Sequence, residues 1–419
     1  MIPKNIESTF LRLLPIYLGV FFIFVIGITI GAYFPPGKLE YGPGLPQHLL
    51  TWDGLWYRDI AEHGYHWNAT IGTLPARYQN VAFFPLYPLI ERVFMRALGT
   101  HGWLTTIAPG IVFGLWSIRS FDRLAQRVLC DNQTALRATA FYAFWPATCF
   151  YFMGYATGLI NLCVIQSMIA YVDGRFMRSA FWCGLGTTAG PGAVFVACGL
   201  CLDQSLRWMR NSLDWRQVPR LIGFGLLSVF GLLLFMTYLS WRFGNPLLFV
   251  LAQKAWEFPE SALRSESLII HITLMVLPIW YAFPFYQTIS TLLKLSSAPI
   301  FGTQYFYFIL EHLYQDDIDV VAVLLLFYIL YKQIKNRFIE NHILFHTGIF
   351  VLIGYMWFNG STYNGFENGI RILYPALIIF LFLGSRRFRF KYTSEILLGF
   401  SCALACSEIA LVWSGYMVI

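Results

Sequence analysis

Charge is scarce in this chain of 419 residues. Asp, Glu, Lys and Arg together make up 12% of it, whereas hydrophobic residues make up 57% and aromatic residues 18%. This balance excludes an ordinary soluble domain, in which about 25% of residues are charged. Apolar runs long enough to cross about 30 Å of hydrocarbon recur along the chain. The sequence therefore predicts an all-α polytopic membrane protein.

Several familiar catalytic and cofactor motifs are also absent. The chain has no Ser/His/Asp triad pattern, no dinucleotide-binding glycine pattern and no paired zinc ligands, and GLGTTAGPG lacks the preceding strand that a phosphate loop requires. The eight cysteines lie in apolar runs or in segments assigned to the cytosol, so no disulfide framework is implied. We expect no required cofactor, with a divalent cation that bridges a carboxylate and a phosphate as the open alternative.

The formal net charge of +7 reports membrane topology rather than nucleic-acid binding. Lys and Arg fall in short clusters between apolar runs, as the positive-inside rule requires of cytosolic loops. Lys4 and Arg12 precede the first apolar run, 13–34, which places the N-terminus in the cytosol. Continued along the chain, the rule predicts about nine to eleven transmembrane helices in a single integral membrane domain, 1–419. Among these predicted spans are 138–154, 157–172 and 371–384.

Two long segments are predicted on the non-cytosolic side. The first outer loop, 35–100, is predicted to hold interfacial helices, because Pro85 and Pro88 interrupt its apolar stretch. The second, 243–316, is predicted as an extracytoplasmic or membrane-embedded region, and whether its apolar part crosses the membrane stays open. Segment 179–202 is predicted as a helix pair that breaks at TTAGPG, enters from the cytosol and returns.

The stretch TWDGLWYRDIAEHGYHW places charged side chains among aromatic ones in the first outer loop. Its spacing indicates an interfacial helix with Asp53 as N-cap and two i,i+4 pairs, Arg58 with Glu62 and Asp59 with His63. The alternative is sugar transfer, because a hydroxyl that attacks an anomeric carbon must lose its proton and a positioned carboxylate can accept it. Spacing alone leaves both interpretations open.

Cations that could stabilise a phosphate leaving group are predicted on the same side. They are Arg58, Arg77, Lys254 and Arg371. Arg371 opens the apolar run in NGIRILYPALIIF, where an arginine either anchors the helix end at the interface or binds an anion. Arginine suits bidentate contact with phosphate, so both interpretations are kept.

The motifs resemble those of a known family. WDGLWYRDIAEHGY followed by FFPLYPLI closely resembles the GPI mannosyltransferase II (PIG-V-like) family, whose bacterial members have the same signature. Further along, FGNPLLFVLAQKAW resembles the family's GDP..F..AQ..W stretch, and GIRILYPAL resembles its RY segment. The resemblance implies a GT-C-type bundle, a class of polytopic glycosyltransferases that take sugar from a polyprenyl-phosphate carrier on the non-cytosolic face.

The resemblance also implies roles for particular residues. Asp53 would be the catalytic base, with inversion at the sugar carbon and the lipid phosphate as leaving group. Trp52, Tyr57 and Tyr87 would shape the site, and Arg371 would face the donor phosphate. Other substrate-binding candidates in the predicted outer loops are Arg58, Asp59, His63, Arg77 and Lys254.

Two positions depart from the family pattern. Thr157 stands where the family usually has an acidic residue, and Gly190 where it has an arginine. These departures keep open a non-catalytic subunit that binds polyprenyl lipid. A lipid-handling transporter or scramblase is a further alternative, since broken helices could pass a headgroup, although charged residues are nearly absent from the predicted spans.

The expected function is transfer of a sugar, with mannose as the expected sugar, from a polyprenyl-phosphate donor to a lipid-linked or surface acceptor. The expected partners are that donor, a glycolipid or surface glycan acceptor and membrane lipids, without nucleic acid. The expected location is a bacterial inner membrane, or the endoplasmic reticulum in a eukaryote. In either case the active site would face away from the cytosol.

Overall fold

The computed structural model describes residues 4–33, 48–67, 79–100, 102–129, 131–210, 215–254, 318–337, 339–362, 369–385 and 392–414. These residues form helices and connecting turns, without a strand, which confirms the all-α prediction. The α-helices are α1 (Lys4–Ala32), α2 (Asp53–His63), α3 (Leu86–Leu98), α4 (Trp103–Leu129), α5 (Asn132–Ala143), α6 (Thr157–Val172), α7 (Phe176–Thr187), α8 (Gly192–Arg210), α9 (Val218–Ser228), α10 (Phe230–Phe243), α11 (Leu248–Lys254), α12 (Ile318–Asn336), α13 (His342–Thr362), α14 (Gly369–Ile372), α15 (Ile378–Gly384) and α16 (Thr393–Trp413). Short 3₁₀-helices lie at Asn80–Ala82, Pro146–Tyr151 and Trp215–Gln217.

Several helices have the length and composition of membrane spans. Among the described residues these are Leu11–Ala32 of α1, α4 and α16, and the bent pair α9 and α10 would add a fourth. α6 and His342–Tyr355 of α13 are shorter apolar helices. The chain is therefore an integral membrane protein, as predicted. The count of nine to eleven spans and the single-domain assignment stay predictions, and 255–317 lies outside the described residues.

Proline divides two of the predicted spans. The predicted span 138–154 is replaced by α5 and then the 3₁₀-helix Pro146–Tyr151. Trp145 has extended backbone, with φ −63° and ψ 140°, as the residue before a proline prefers. Likewise the predicted span 371–384 is divided into α14 and α15, with Pro375 between them. In both cases proline ends regular helix where the apolar pattern alone suggests continuity.

The predicted break in segment 179–202 is present. α7 ends at Thr187 and α8 begins at Gly192. The backbone N–H of Leu86, the first residue of α3, donates to the carbonyl oxygen of Thr188 at 3.0 Å. The turn between α7 and α8 therefore contacts the loop that carries the candidate site.

A buried tyrosine joins α14 to the 3₁₀-helix Pro146–Tyr151. The Tyr374 hydroxyl donates to the carbonyl oxygen of Tyr142 at 2.7 Å and lies 3.0 Å from Thr148 Oγ1. Tyr374 lies in the turn that directly follows α14. These bonds therefore fix that turn and, with it, the position of Arg371 in α14. Neighbouring rings complete this part of the core, with Phe121 stacked on Tyr142 at 4.5 Å.

Candidate active site

Asp53 is the first residue of α2 and does not cap it. Trp52 occupies the N-cap position, and no side-chain capping hydrogen bond is made there. The predicted N-cap role of Asp53 is therefore wrong. Instead Arg371 Nη1 donates to Asp53 Oδ2 at 2.9 Å. The carboxylate that spacing alone assigns to local helix capping thus binds a guanidinium 318 residues away along the chain.

The backbone just before Asp53 is unusual. Trp52 has φ 43° and ψ −114°, a conformation that residues with a side chain rarely adopt. Such a residue costs about 1–3 kcal/mol and persists where its surroundings hold it. The Trp52 indole N–H is buried and has no hydrogen-bond partner among the described residues. Trp52 therefore directly precedes Asp53 on strained backbone, and its predicted part in shaping the site stays a prediction.

Arg371 lies over two neighbouring aromatic rings. Its guanidinium carbon is 5.3 Å from the ring centroid of Phe150 and 5.6 Å from that of Tyr155. In the Asp53–Arg371 pair each side chain is 23% exposed, so the pair is largely shielded. Both rings make cation–π contact with the guanidinium from the same side, and its N–H groups can donate to anions. One such N–H group contacts Asp53.

Tyr57 and Tyr87 pack together beside this pair. Their ring centroids are 5.2 Å apart, and the Tyr87 hydroxyl donates to the carbonyl oxygen of Thr106 at 2.6 Å. Burial, followed by the negative charge of Asp53, raises the pKa of Tyr57 well above its usual range. Tyr57 is therefore a neutral phenol at physiological pH. The negative charge of Asp53 acts on Tyr57, so the two side chains are near each other. The predicted part of Tyr57 and Tyr87 in shaping the site stays a prediction.

The two predicted ion pairs on α2 are present and brace the outer loop. Arg58 Nε lies 2.9 Å from Glu62 Oε1, and His63 Nδ1 lies 3.1 Å from Asp59 Oδ1. The sequence interpretation missed Asn80, whose side-chain amide donates to Asp59 Oδ2 at 2.8 Å. These contacts tie α2 to the 3₁₀-helix that begins at Asn80. They explain the charges as loop structure, and a substrate-binding role for Arg58, Asp59 and His63 stays a prediction.

Two predicted cations have no described contacts. Arg77 lies outside the described residues. Lys254 is the last residue of α11, whose Leu248 and Ala252 are buried in the outer hydrophobic cluster with Phe84. Their proposed part in phosphate binding stays a prediction.

Tyr155 is the main site residue that the sequence interpretation missed. Its hydroxyl oxygen accepts a hydrogen bond from the backbone N–H of Asp53 at 3.3 Å, while its ring contacts Arg371. The available signal was the dense aromatic stretch FYFMGY, which also reads as ordinary core. Phe150, from the same stretch, packs on Tyr155 with ring centroids 5.0 Å apart.

The donor set gives no independent indication of a metal. Among the described residues, no group of three or more His, Cys, Asp or Glu side chains is arranged to hold a metal ion. Asp53 already has a cationic partner in Arg371. Whether a divalent cation takes part stays a question for experiment.

The segment that carries Asp53 also matches a known family. Residues 40–244 match the family model described as mannosyltransferase (PIG-V). This match confirms the resemblance seen in the motifs of this part of the chain. The matched residues include Asp53 and Tyr155, and Arg371 lies beyond them.

Two solved structures match this chain at low sequence identity. ArnT from Cupriavidus metallidurans bound to undecaprenyl phosphate is 15% identical with a TM-score of 0.48, and the match covers 93% of this chain and 63% of that one. ArnT in the apo state is 13% identical with a TM-score of 0.37, covering 95% and 77% respectively. The chain thus spans 63% of the length of the first ArnT chain. No curated protein matches this chain.

Proposed function

We propose that this protein transfers mannose from a polyprenyl-phosphate donor to a glycolipid or surface-glycan acceptor. The reaction takes place on the non-cytosolic face of the membrane, inverts the sugar carbon, and uses Asp53 as general base. The observation that carries the proposal is the contact between Asp53 Oδ2 and Arg371 Nη1 at 2.9 Å. It joins a carboxylate in the family-matched segment to the cation expected for a phosphate leaving group.

The two side chains suit the two ends of the reaction. The acceptor hydroxyl oxygen forms a bond to the anomeric carbon from the face opposite the phosphate, and its proton passes to the Asp53 carboxylate. The bond between the anomeric carbon and the phosphate oxygen breaks, and its electron pair stays on that oxygen. Arg371 stabilises the charge that develops there. A positioned base of this kind contributes about 10² to 10⁴ in rate.

The contact with Asp53 leaves N–H donors of Arg371 for a phosphate. A guanidinium carries several N–H donors in one plane, and the contact with Asp53 uses Nη1. Phe150 and Tyr155 hold the guanidinium by cation–π contact from one side. A donor phosphate can therefore bind the remaining N–H groups of Arg371 while Asp53 stays in contact with Nη1. The base and the leaving group would then share one cation.

The membrane setting follows from the same proposal. The first outer loop, with Asp53, faces the periplasm of a bacterium or the lumen of the endoplasmic reticulum, and the N-terminus faces the cytosol. A lipid-linked donor reaches the site within the bilayer, and the polar acceptor reaches it from the aqueous side. No cofactor is required, because Asp53 and Arg371 supply the base and the cation, so activity is expected to persist in EDTA.

The test compares Asp53→Asn with the wild type in detergent-purified protein. The probes are polyprenyl-phosphate mannose and a membrane glycolipid extract. We expect Asp53→Asn to lower kcat by about 100-fold or more, because the amide cannot accept the proton. Asp173→Asn is the matched control, since Asp173 forms an ion pair with Arg127 on exposed helix ends away from the site. Unchanged kcat in folded Asp53→Asn protein contradicts the proposal.

A further inference from the structure

We propose that Tyr155 is a positioning residue that fixes Asp53 through its hydroxyl and Arg371 through its ring. This inference rests on the proposed function of Asp53 and Arg371. Tyr155 is 2% exposed and contacts both members of the pair. One side chain thereby sets the distance between the base and the cation.

The hydroxyl acts on the start of α2. The first N–H groups of a helix have no partner within the helix. The N–H of Asp53 donates to Tyr155 Oη at 3.3 Å, so the partner comes from a segment 102 residues away. The peptide that carries this N–H directly follows the strained backbone of Trp52. Strained backbone persists only when its surroundings determine it, and the Tyr155 hydroxyl is a contact at that position.

The ring acts on Arg371. The guanidinium carbon lies 5.6 Å from the Tyr155 centroid and 5.3 Å from that of Phe150. The two rings are themselves 5.0 Å apart and tilted by 46°. An arginine held over two rings loses rotational freedom before it meets an anion, which lowers the entropic cost of binding. The hydroxyl and the ring therefore have separable functions.

Tyr155 is in turn held by a close approach of backbones. A Cβ added to Gly154 would lie 2.6 Å from Thr106 Cγ2 and 3.5 Å from Gly54 Cα. A Cβ added to Gly54 would lie 3.3 Å from the Gly154 carbonyl oxygen. The two glycines let the Tyr155 segment touch α2 next to Asp53. The N–H of Tyr155 also donates to the carbonyl oxygen of Met153 at 2.8 Å, which fixes the turn.

The experiment separates hydroxyl from ring. Tyr155→Phe removes the hydroxyl and keeps the ring, and Tyr155→Leu removes both. Tyr65→Phe is the matched control, because the Tyr65 hydroxyl donates to the carbonyl oxygen of Phe83 at 2.7 Å, in the same outer loop. Two assays are made on folded protein: sugar transfer, which gives kcat and KM, and binding of undecaprenyl phosphate, which gives Kd.

We expect Tyr155→Phe to lower kcat by about tenfold or more, because small displacements of a reacting group are costly. Its Kd for undecaprenyl phosphate is expected to stay within about twofold of wild type, since the ring contact with Arg371 is kept. Tyr155→Leu is expected to weaken that Kd by about tenfold as well. Tyr65→Phe should leave both quantities unchanged.

Two results would overturn the inference. One is equal kcat in Tyr155→Phe, Tyr65→Phe and wild type. The other is equal Kd in Tyr155→Phe and Tyr155→Leu. Wild-type protein without any sugar transfer would refute the proposed function instead, and the Kd comparison would still test whether the Tyr155 ring organises an anion site at Arg371.

Discussion

Glu91 shows how one buried carboxyl group in the outer loop depends on its surroundings. It lies in α3 with no exposed surface, and Thr106 Oγ1 donates to its Oε1. Its Oε2 has no hydrogen-bond partner among the described residues. Burial raises the pKa of Glu91 to about 8, against the lowering effects of the Thr106 hydrogen bond and the charge of Arg58. The carboxyl group therefore keeps its proton at neutral pH.

This shift predicts a pH dependence of stability. The pKa of Glu91 in the fold is about 8 and its ordinary value is 4.5, so the folded state binds the proton more tightly. That contribution is complete below the ordinary pKa and is lost as the pH rises towards the folded one. We expect the Tm of the purified protein to fall between about pH 5 and pH 9. In Glu91→Gln this fall should be smaller, because the amide cannot ionise.

The control for Glu91→Gln is Glu395→Gln. Glu395 is an exposed carboxylate at the start of α16 whose pKa is lowered, so it stays ionised over this pH range. Glu395→Gln is expected to keep the wild-type slope of Tm against pH. Equal slopes in the wild type and in Glu91→Gln would contradict the prediction.

At the residue scale, the charged residues of the candidate site could be predicted from the sequence, but the aromatic residue that contacts them, Tyr155, could not. Asp53 and Arg371 are conspicuous because charged groups next to apolar runs are costly and need a reason. Their contact could be expected only from the family resemblance. Tyr155 has no such signal, since a tyrosine in an apolar stretch is usually core. Its role depends on a contact with Asp53, 102 residues away, that only the folded chain shows.

At the scale of elements, α9 and α10 form a helix pair bent by 63° where it crosses α7. The N–H of Leu232 donates to Thr187 Oγ1 at 3.2 Å, so the end of α7 is tied to the start of α10. A Cβ added to Gly231 would come within 2.6 Å of the backbone nitrogen of Thr188. The two helices can approach this closely because Gly231 has no side chain.

The bend yields a prediction with an internal control. Gly231→Ala is expected to lower the free energy of unfolding by about 1–3 kcal/mol, because backbone on α7 must move to admit the methyl group. Gly223→Ala, in α9 of the same pair, meets nothing within 4 Å. It should be neutral or stabilising by up to about 1 kcal/mol, since alanine favours helix over glycine. Thermal unfolding in detergent gives the Tm of both variants. Equal Tm values for Gly231→Ala and Gly223→Ala would contradict the predicted close contact at Gly231.

Element boundaries were predictable where caps and charges agree with apolar length. The span predicted at 157–172 coincides with α6, which ends where Asp173 and Gly174 begin a turn. The divided helices at Pro146 and Pro375 were missed for a physical reason. The positions of prolines are visible in the sequence, but whether the chain kinks within one span or stops depends on how neighbouring helices satisfy the freed carbonyl groups.

At the scale of the whole molecule, two ion pairs each join the start of one helix to the end of another, as expected for neighbouring helices that run in opposite directions. Arg12, near the start of α1, binds Asp122, near the end of α4. His346, near the start of α13, contacts Asp203 towards the end of α8 at 2.9 Å. Asp53 and Arg371 follow the opposite ends of α1 and α13. The pairs Arg12–Asp122 and His346–Asp203 therefore lie near the starts of α1 and α13, whereas the candidate site follows the other ends of these helices.

This arrangement predicts the outcome of a glycosylation test in endoplasmic reticulum microsomes. The chain has two acceptor triplets, Asn68-Ala69-Thr70 and Asn359-Gly360-Ser361. The first lies in the same predicted outer loop as Asp53, 35–100, whereas Asn359 lies within α13. Acceptor triplets are modified in surface loops on the lumenal side. If the Asp53 loop faces the lumen, Asn68 should receive a glycan and Asn359 should not.

We expect a single shift in electrophoretic mobility that endoglycosidase removes. Asn68→Gln should abolish the shift and Asn359→Gln should keep it, because the triplet in α13 is held as helix and the first is not part of an apolar run. A shift that depends on Asn359 would contradict the expectation that the triplet within α13 is not modified. Absence of any shift would contradict the lumenal position of the loop, and with it the proposal that Asp53 meets its donor on the non-cytosolic face.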